Sequence, residues 1–124
     1  MQPPRVRCER IHPTLRVRDV RAAVRFYTER LGFALAFELP RFAGVELGGA
    51  QVFLEEREGA GGGGAYFVID DVDALFALHR AQGVAEGAGL VDQEYGLRDY
   101  AIRDMDGNGL AFGQRIARTH DAQD

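Results

Sequence analysis

Lysine, serine and tryptophan are absent from this chain, and cysteine occurs once, as Cys8. With no serine, and with no histidine pattern that would activate the one cysteine, nucleophilic hydrolysis has no support. A lone cysteine forms no internal disulfide and no Cys/His zinc cluster, so a reducing cytoplasm is the expected location. No apolar run approaches the ~20 residues that span a bilayer, and the Arg-rich start lacks a signal-peptide pattern, so no membrane partner is expected. All 15 basic residues are arginine, set against 19 acidic ones for a net charge of −4. That balance argues against a nucleic-acid partner and suits a neutral or cationic small ligand. The glycine-rich run at 59–64 is followed by a strand pattern rather than Gly-Lys-Ser/Thr, which excludes a phosphate-binding loop.

What is present is enough for one domain over residues 1–124: 46% of the residues are hydrophobic. Residues 95–112 read as strand, tight turn and strand, with the turn formers Asp104, Asp106-Gly107 and Asn108-Gly109 between apolar Ala101-Ile102 and Leu110–Phe112. A looser echo of this hairpin lies near residues 42–56. Ahead of it, Ile11, Pro13, Leu15 and Val17 alternate with His12, Thr14 and Arg16, the period of a half-buried strand. Asp19 then caps a helix whose stripe is Val20, Val24, Tyr27 and Leu31, ending at Gly32.

The pattern restarts after residue 64, with a strand over Ala65–Ile69, the cap Asp71, a helical face Val72, Leu75, Phe76 and His79, and the stop Gly83. Asp19-Val20-Arg21-Ala22 falls on Asp71-Val72-Asp73-Ala74 at an offset of 52 residues. The expected fold is therefore α+β. Two βαβββ modules, about 11–57 and 65–114, are joined by a flexible linker over 58–64 and form a cupped mixed sheet with helices outside. Residues 1–10 are read as a frayed arm and 115–124, with His120, as a loose tail. His79 is expected to be a hydrogen-bonded core histidine. Arg98 and Asp104 are expected to fix the last hairpin by a charge-assisted bond.

If each helix covers one sheet face, His12, Thr14 and Arg16 point to the opposite side, where a concave groove would take a small ligand. The aromatic residues Phe42, Phe53, Tyr66 and Tyr95 are candidates to line it by stacking, whereas Phe26, Tyr27, Phe37, Phe67 and Phe76 are assigned to the core. Glu55, or Asp99 and Glu94, would meet a cationic group.

The segments 12–20 (His-Pro-Thr-Leu-Arg-Val-Arg-Asp-Val), Phe26-Tyr27 with Leu31-Gly32-Phe33, 70–75 and 103–108 together resemble the glyoxalase/bleomycin-resistance/extradiol-dioxygenase superfamily, over residues 11–114. Arg41–Val45 and Tyr95–Arg98 are most similar to its bleomycin-resistance branch. That resemblance implies homodimers that sequester cationic antibiotics in two shared grooves, and Pro13 offers a hinge for exchanging residues 1–11 between chains. The positions of Tyr66 and Tyr95 are typically tryptophan in the antibiotic-binding members, so smaller rings stand here.

The enzymatic branches imply a divalent metal on four inward positions. His12 matches the first, but Gly64 and Ala111 match two others and offer no ligand, and near Phe53 only Glu55 remains. Two ligands fall short of the three or more that a catalytic metal takes, so no cofactor is expected. The reading is thus a metal-free binding protein with His12, Arg16, Phe42, Phe53, Glu55, Tyr66 and Tyr95 toward the ligand. The alternatives are a metal-dependent lyase, isomerase or dioxygenase using His12 and Glu55, or a scaffold with a collapsed groove.

Overall fold

In a computed structural model, which describes residues 1–117, the two aspartates marked as caps perform that task. The Ala22 N–H donates to Asp19 Oδ1 at 3.1 Å, and the Ala74 N–H donates to Asp71 Oδ1 at 3.0 Å. Each carboxylate thereby satisfies an amide that the first helical turn leaves without a partner. Helix α1 (Val20–Arg25) continues as one π-helical turn, Phe26–Arg30, and buries the expected stripe of Val20, Val24, Tyr27 and Leu31. Gly32 ends it at φ +84°, a conformation open to glycine because it lacks Cβ. Helix α2 spans Val72–Ala81.

Strands β1 (Thr14–Val17), β2 (Ala34–Leu39), β3 (Phe42–Leu47) and β4 (Ala50–Glu56) form one mixed sheet in the order β1-β4-β3-β2. Strands β5 (Gly64–Val68), β6 (Val91–Asp92), β7 (Leu97–Arg103) and β8 (Gly109–Arg115) form a second, ordered β5-β8-β7-β6. In both, the first strand runs parallel to the last and the remaining pairs are antiparallel. The fold is α+β, the βαβββ pattern used twice. The repeat extends to detail: the N–H of Val20 donates to Glu56 Oε1 at 3.1 Å, and the N–H of Val72, 52 residues on, donates to Gln114 Oε1 at 2.9 Å. In each half the end of the last strand thus supplies a second cap to the helix.

Alternation along the strands buries Leu15, Val17, Val52 and Leu54 in the first sheet and Leu110 and Phe112 in the second, and α1 packs on β3 and β4 as α2 does on β7 and β8. One buried cluster runs through both halves. The opposite sheet faces stay open.

Four expectations change. The first strand begins at Thr14 rather than Ile11, and Ile11 is exposed. The glycine run is tied down rather than loose: the Gly61 N–H donates to Arg16 O at 3.1 Å, the Gly63 N–H to Asn108 Oδ1 at 3.1 Å, and Gly63 O accepts from the Gly109 N–H at 2.9 Å. Arg98 does not hold the last hairpin, because it pairs with Asp92 at 2.6 Å and Asp73 at 3.4 Å on the helix side of the sheet. The tail expected from residue 115 starts after β8, which includes Arg115, and His120 lies outside the described residues.

Candidate ligand-binding faces

The seven residues read as ligand-facing fall into two groups, one on the open face of each sheet. On the first sheet, His12 stacks on Phe53 with ring centres 4.7 Å apart, and Phe53 lies 5.1 Å from Phe42. The His12 ring is fixed through Nδ1, 3.0 Å from the Gln51 carbonyl. A carbonyl only accepts, so Nδ1 donates the hydrogen. Arg16 and Glu55 sit directly opposite each other in the β1–β4 register, and Glu55 accepts from Arg57 Nε at 3.0 Å. Glu56, on the other face, pairs with Arg41 at 3.3 Å as well as capping α1.

Phe37 belongs to this face too, although its sequence setting assigns it to the core. A register shift between Leu35 and Phe37 changes the side to which β2 presents its residues. Phe37 thereby comes to lie over Gly44, where a Cβ would sit 2.8 Å from its Cδ1. It joins Phe42 at 5.7 Å and Phe53 at 5.9 Å. The available signal was Gly44 itself, since a glycine inside a strand marks a close approach.

On the second sheet, Tyr66 of β5 and Tyr95 of the β6–β7 turn are 46% and 57% exposed, and both hydroxyls converge on one carboxylate. Asp99 Oδ2 accepts from Tyr66 at 2.8 Å and from Tyr95 at 2.5 Å, while Oδ1 accepts from Gln93 Nε2 at 2.9 Å. These groups bound a cavity of about 310 Å³ whose floor is Ala101 and Ala111, paired across β7 and β8. None of the first sheet's aromatic residues lines it.

The electrostatics of this cluster follow from its hydrogen bonds. Desolvation alone would raise the Asp99 pKa, but the donors on Tyr95, Gln93 and Tyr66 outweigh it and hold the carboxyl below its usual range. Desolvation, then the bond to Asp99, pushes the Tyr66 phenol well above its ordinary value, and the bond to Asp99 does the same for Tyr95. Both phenols therefore remain neutral donors and Asp99 a carboxylate.

Tyr66 lies flat because residue 113 is glycine: a Cβ there would overlap its hydroxyl and sit 2.9 Å from Cζ. Gly113→Ala is expected to lift the ring off Asp99 and cost about 1–2 kcal/mol in urea unfolding. In a Tyr66→Ala background the same substitution should cost almost nothing, which a double-mutant cycle measures.

A family model described as the Glyoxalase/Bleomycin resistance protein/Dioxygenase superfamily matches residues 10–112. The chain belongs to this superfamily. The bleomycin resistance protein of Geobacillus stearothermophilus is 26% identical over 125 residues, covering 84% of this chain and 95% of its own length. The bleomycin-binding protein of Streptomyces verticillus, solved with copper(II)-bleomycin, is 26% identical with a TM-score of 0.74, covering 92% of this chain and 100% of that one. TnmS3, an antibiotic binding protein from Streptomyces sp. CB03234, is 27% identical with a TM-score of 0.73, covering 88% and 99%.

The divalent metal implied by the enzymatic side of the glyoxalase superfamily does not fit these residues. His12 offers a single imidazole nitrogen, the Glu55 carboxylate is engaged by Arg57, and Ala111 and Gly64 provide no donor. Among the described residues no group of three or more His, Cys, Asp or Glu side chains is placed to hold an ion. A cavity of about 620 Å³ between the β3–β4 turn and α2 is lined mostly by apolar residues, and Asp71 in its lining is already used as the helix cap.

Proposed function

We propose that this protein binds and sequesters a small aromatic or cationic molecule, without metal and without transforming it. The observation that carries this reading is the pair of aromatic platforms on the open sheet faces: Phe37, Phe42 and Phe53 beside His12 on one, Tyr66 and Tyr95 over Asp99 on the other. Rings held at a surface with their faces available stack planar ligands, and a soluble fold does not otherwise gain from leaving them out of the core. The bleomycin resistance protein and the copper(II)-bleomycin complex among its relatives support an antibiotic-like ligand.

The two platforms lie on different sheets, so a second copy is proposed as the opposite wall of each groove. The exposed Val6 and Ile11 of the arm, ahead of Pro13, would be exchanged onto that copy. A single domain of two βαβββ halves in the cytoplasm completes the reading. Because tryptophan is absent, intrinsic fluorescence comes from four tyrosines, of which Tyr27 and Tyr100 are buried and Tyr66 and Tyr95 are exposed. Titration with copper-free bleomycin or phleomycin is expected to quench the exposed pair saturably, with one site per chain, on a particle that sediments as a dimer. Stoichiometric metal in the purified protein that is lost in His12→Ala would overturn the metal-free reading. Absence of quenching across a panel of such compounds would overturn sequestration.

A further inference from the structure

Asp99 is a shielded carboxylate with no cationic partner. It is 7% exposed, covered by the rings of Tyr66 and Tyr95, and its three hydrogen bonds come from neutral groups. Among the described residues no arginine pairs with it. Its sequence neighbour Arg98 is turned to the other face by strand alternation and is engaged by Asp92 and Asp73. Asp104, the other buried carboxylate without an arginine, is enclosed by the turn it organises, whereas Asp99 lines a cavity. The three donors keep it ionised, so a full negative charge borders the cavity with no countercharge, and a cation there would gain an ion pair on a carboxylate already held in place.

We propose that Asp99 is the selectivity determinant of the second-sheet cavity. It accepts a ligand's planar cationic group, of the amidinium, guanidinium or protonated-heterocycle class, slotted between the Tyr66 and Tyr95 rings above Ala101 and Ala111. The lining has the chemistry for this: Tyr66 and Tyr95, the small side chains of Ala101 and Ala111, and the Asp99 carboxylate border one cavity. Tyr66, Tyr95 and Gln93 act as positioning residues, since their donors fix the carboxylate and keep it ionised. A planar cation gains twice here, from the charge-assisted bond to Asp99 and from the ring faces. The inference rests on the binding reading above and names the ligand class of that site.

Benzamidine and benzamide test it, being nearly identical in shape and differing in charge. Chemical-shift titration of the full chain is expected to show benzamidine bound about tenfold more tightly than benzamide, because only benzamidine sets a positive charge opposite the carboxylate. Asp99→Asn should abolish that preference, because the charge opposite benzamidine is gone, and Tyr95→Phe, which keeps the carboxylate, should retain it. Equal affinities in the wild type, or a preference that survives Asp99→Asn, would overturn the proposal, and the wild-type comparison decides even if the variant fails to fold. Benzamide and benzamidine bound equally, both shifting Tyr66, would sink the role of Asp99 and leave sequestration standing. Binding of neither probe also overturns it, while the bleomycin titration judges the groove separately.

Discussion

Replacing Asp104 by alanine is expected to remove at least about 3 kcal/mol of stability, more than half of the total if that lies near the low end of the ordinary ~5–15 kcal/mol. Four donors converge on this one carboxylate. Oδ1 accepts from the backbone N–H groups of Asp106 and Asn108, each at 2.9 Å. Oδ2 accepts from the Tyr27 hydroxyl at 2.8 Å and from Asn108 Nδ2 at 2.9 Å. Tyr27 and Asn108 are fully buried, so water cannot readily replace the lost acceptor. Each buried donor left without a partner costs about 1–3 kcal/mol, and the three buried ones, on Tyr27 and Asn108, give the figure above at the lower bound, the Asp106 N–H being part-buried.

The effect should spread beyond the turn. Asn108 also donates to Arg16 O at 2.9 Å and accepts from the Gly63 N–H, so the hub joins β1, the glycine run and the last hairpin. Asp104→Asn keeps the shape but replaces one acceptor with a donor, and an intermediate loss of about 2 kcal/mol is expected. Urea unfolding measures both. An alanine variant within about 1 kcal/mol of the wild type would show that the hub is not where the fold is held together.

Much of the fold was readable because its signals are local. Asp19 and Asp71 sit three residues before the amides they cap, and the stripe from Val20 to Leu31 repeats at helical spacing. The offset of 52 that relates the helices also relates β1 to β5, Thr14 to Tyr66, whereas their partners in the last strands, Phe53 and Ala111, stand 58 apart. What the sequence hid depends on contacts between distant residues. Phe37 moved to the open face through a register shift that leaves no mark in composition. Asp99 reads as one of the charges that would meet a cation, but its engagement by Tyr66, 33 residues earlier, depends on where β5 lies. Arg98 found its partners on β6 and α2 rather than in the next turn. The division of the aromatic residues between two sheet faces follows from strand order, which periodicity does not specify.

Acid is expected to loosen the fold through His79 before it reaches the carboxylates. The ring is fully buried on α2, with Nε2 2.9 Å from Leu31 O and Nδ1 2.8 Å from the Tyr100 hydroxyl. Leu31 O only accepts, so Nε2 carries the proton and the Tyr100 hydroxyl donates to Nδ1, a neutral imidazole with both nitrogens satisfied. Burial lowers its pKa below the 6.5 of an exposed histidine. The unfolded chain then binds a proton at higher pH than the folded one. The stability His79 contributes is complete above about pH 6.5 and declines as the pH falls from there toward the lower folded value. Asp92 and Asp99, lowered from 3.8, lose their contributions only in more acid solution, so the window just below pH 6.5 belongs to His79. His79→Leu leaves Leu31 O and the Tyr100 hydroxyl without partners and should cost about 2–4 kcal/mol at pH 7.5. Its unfolding free energy should also stay level between pH 7 and pH 5, where that of the wild type falls. An unchanged acid slope in the variant would assign the loss to another group, with His12 the remaining histidine among the described residues.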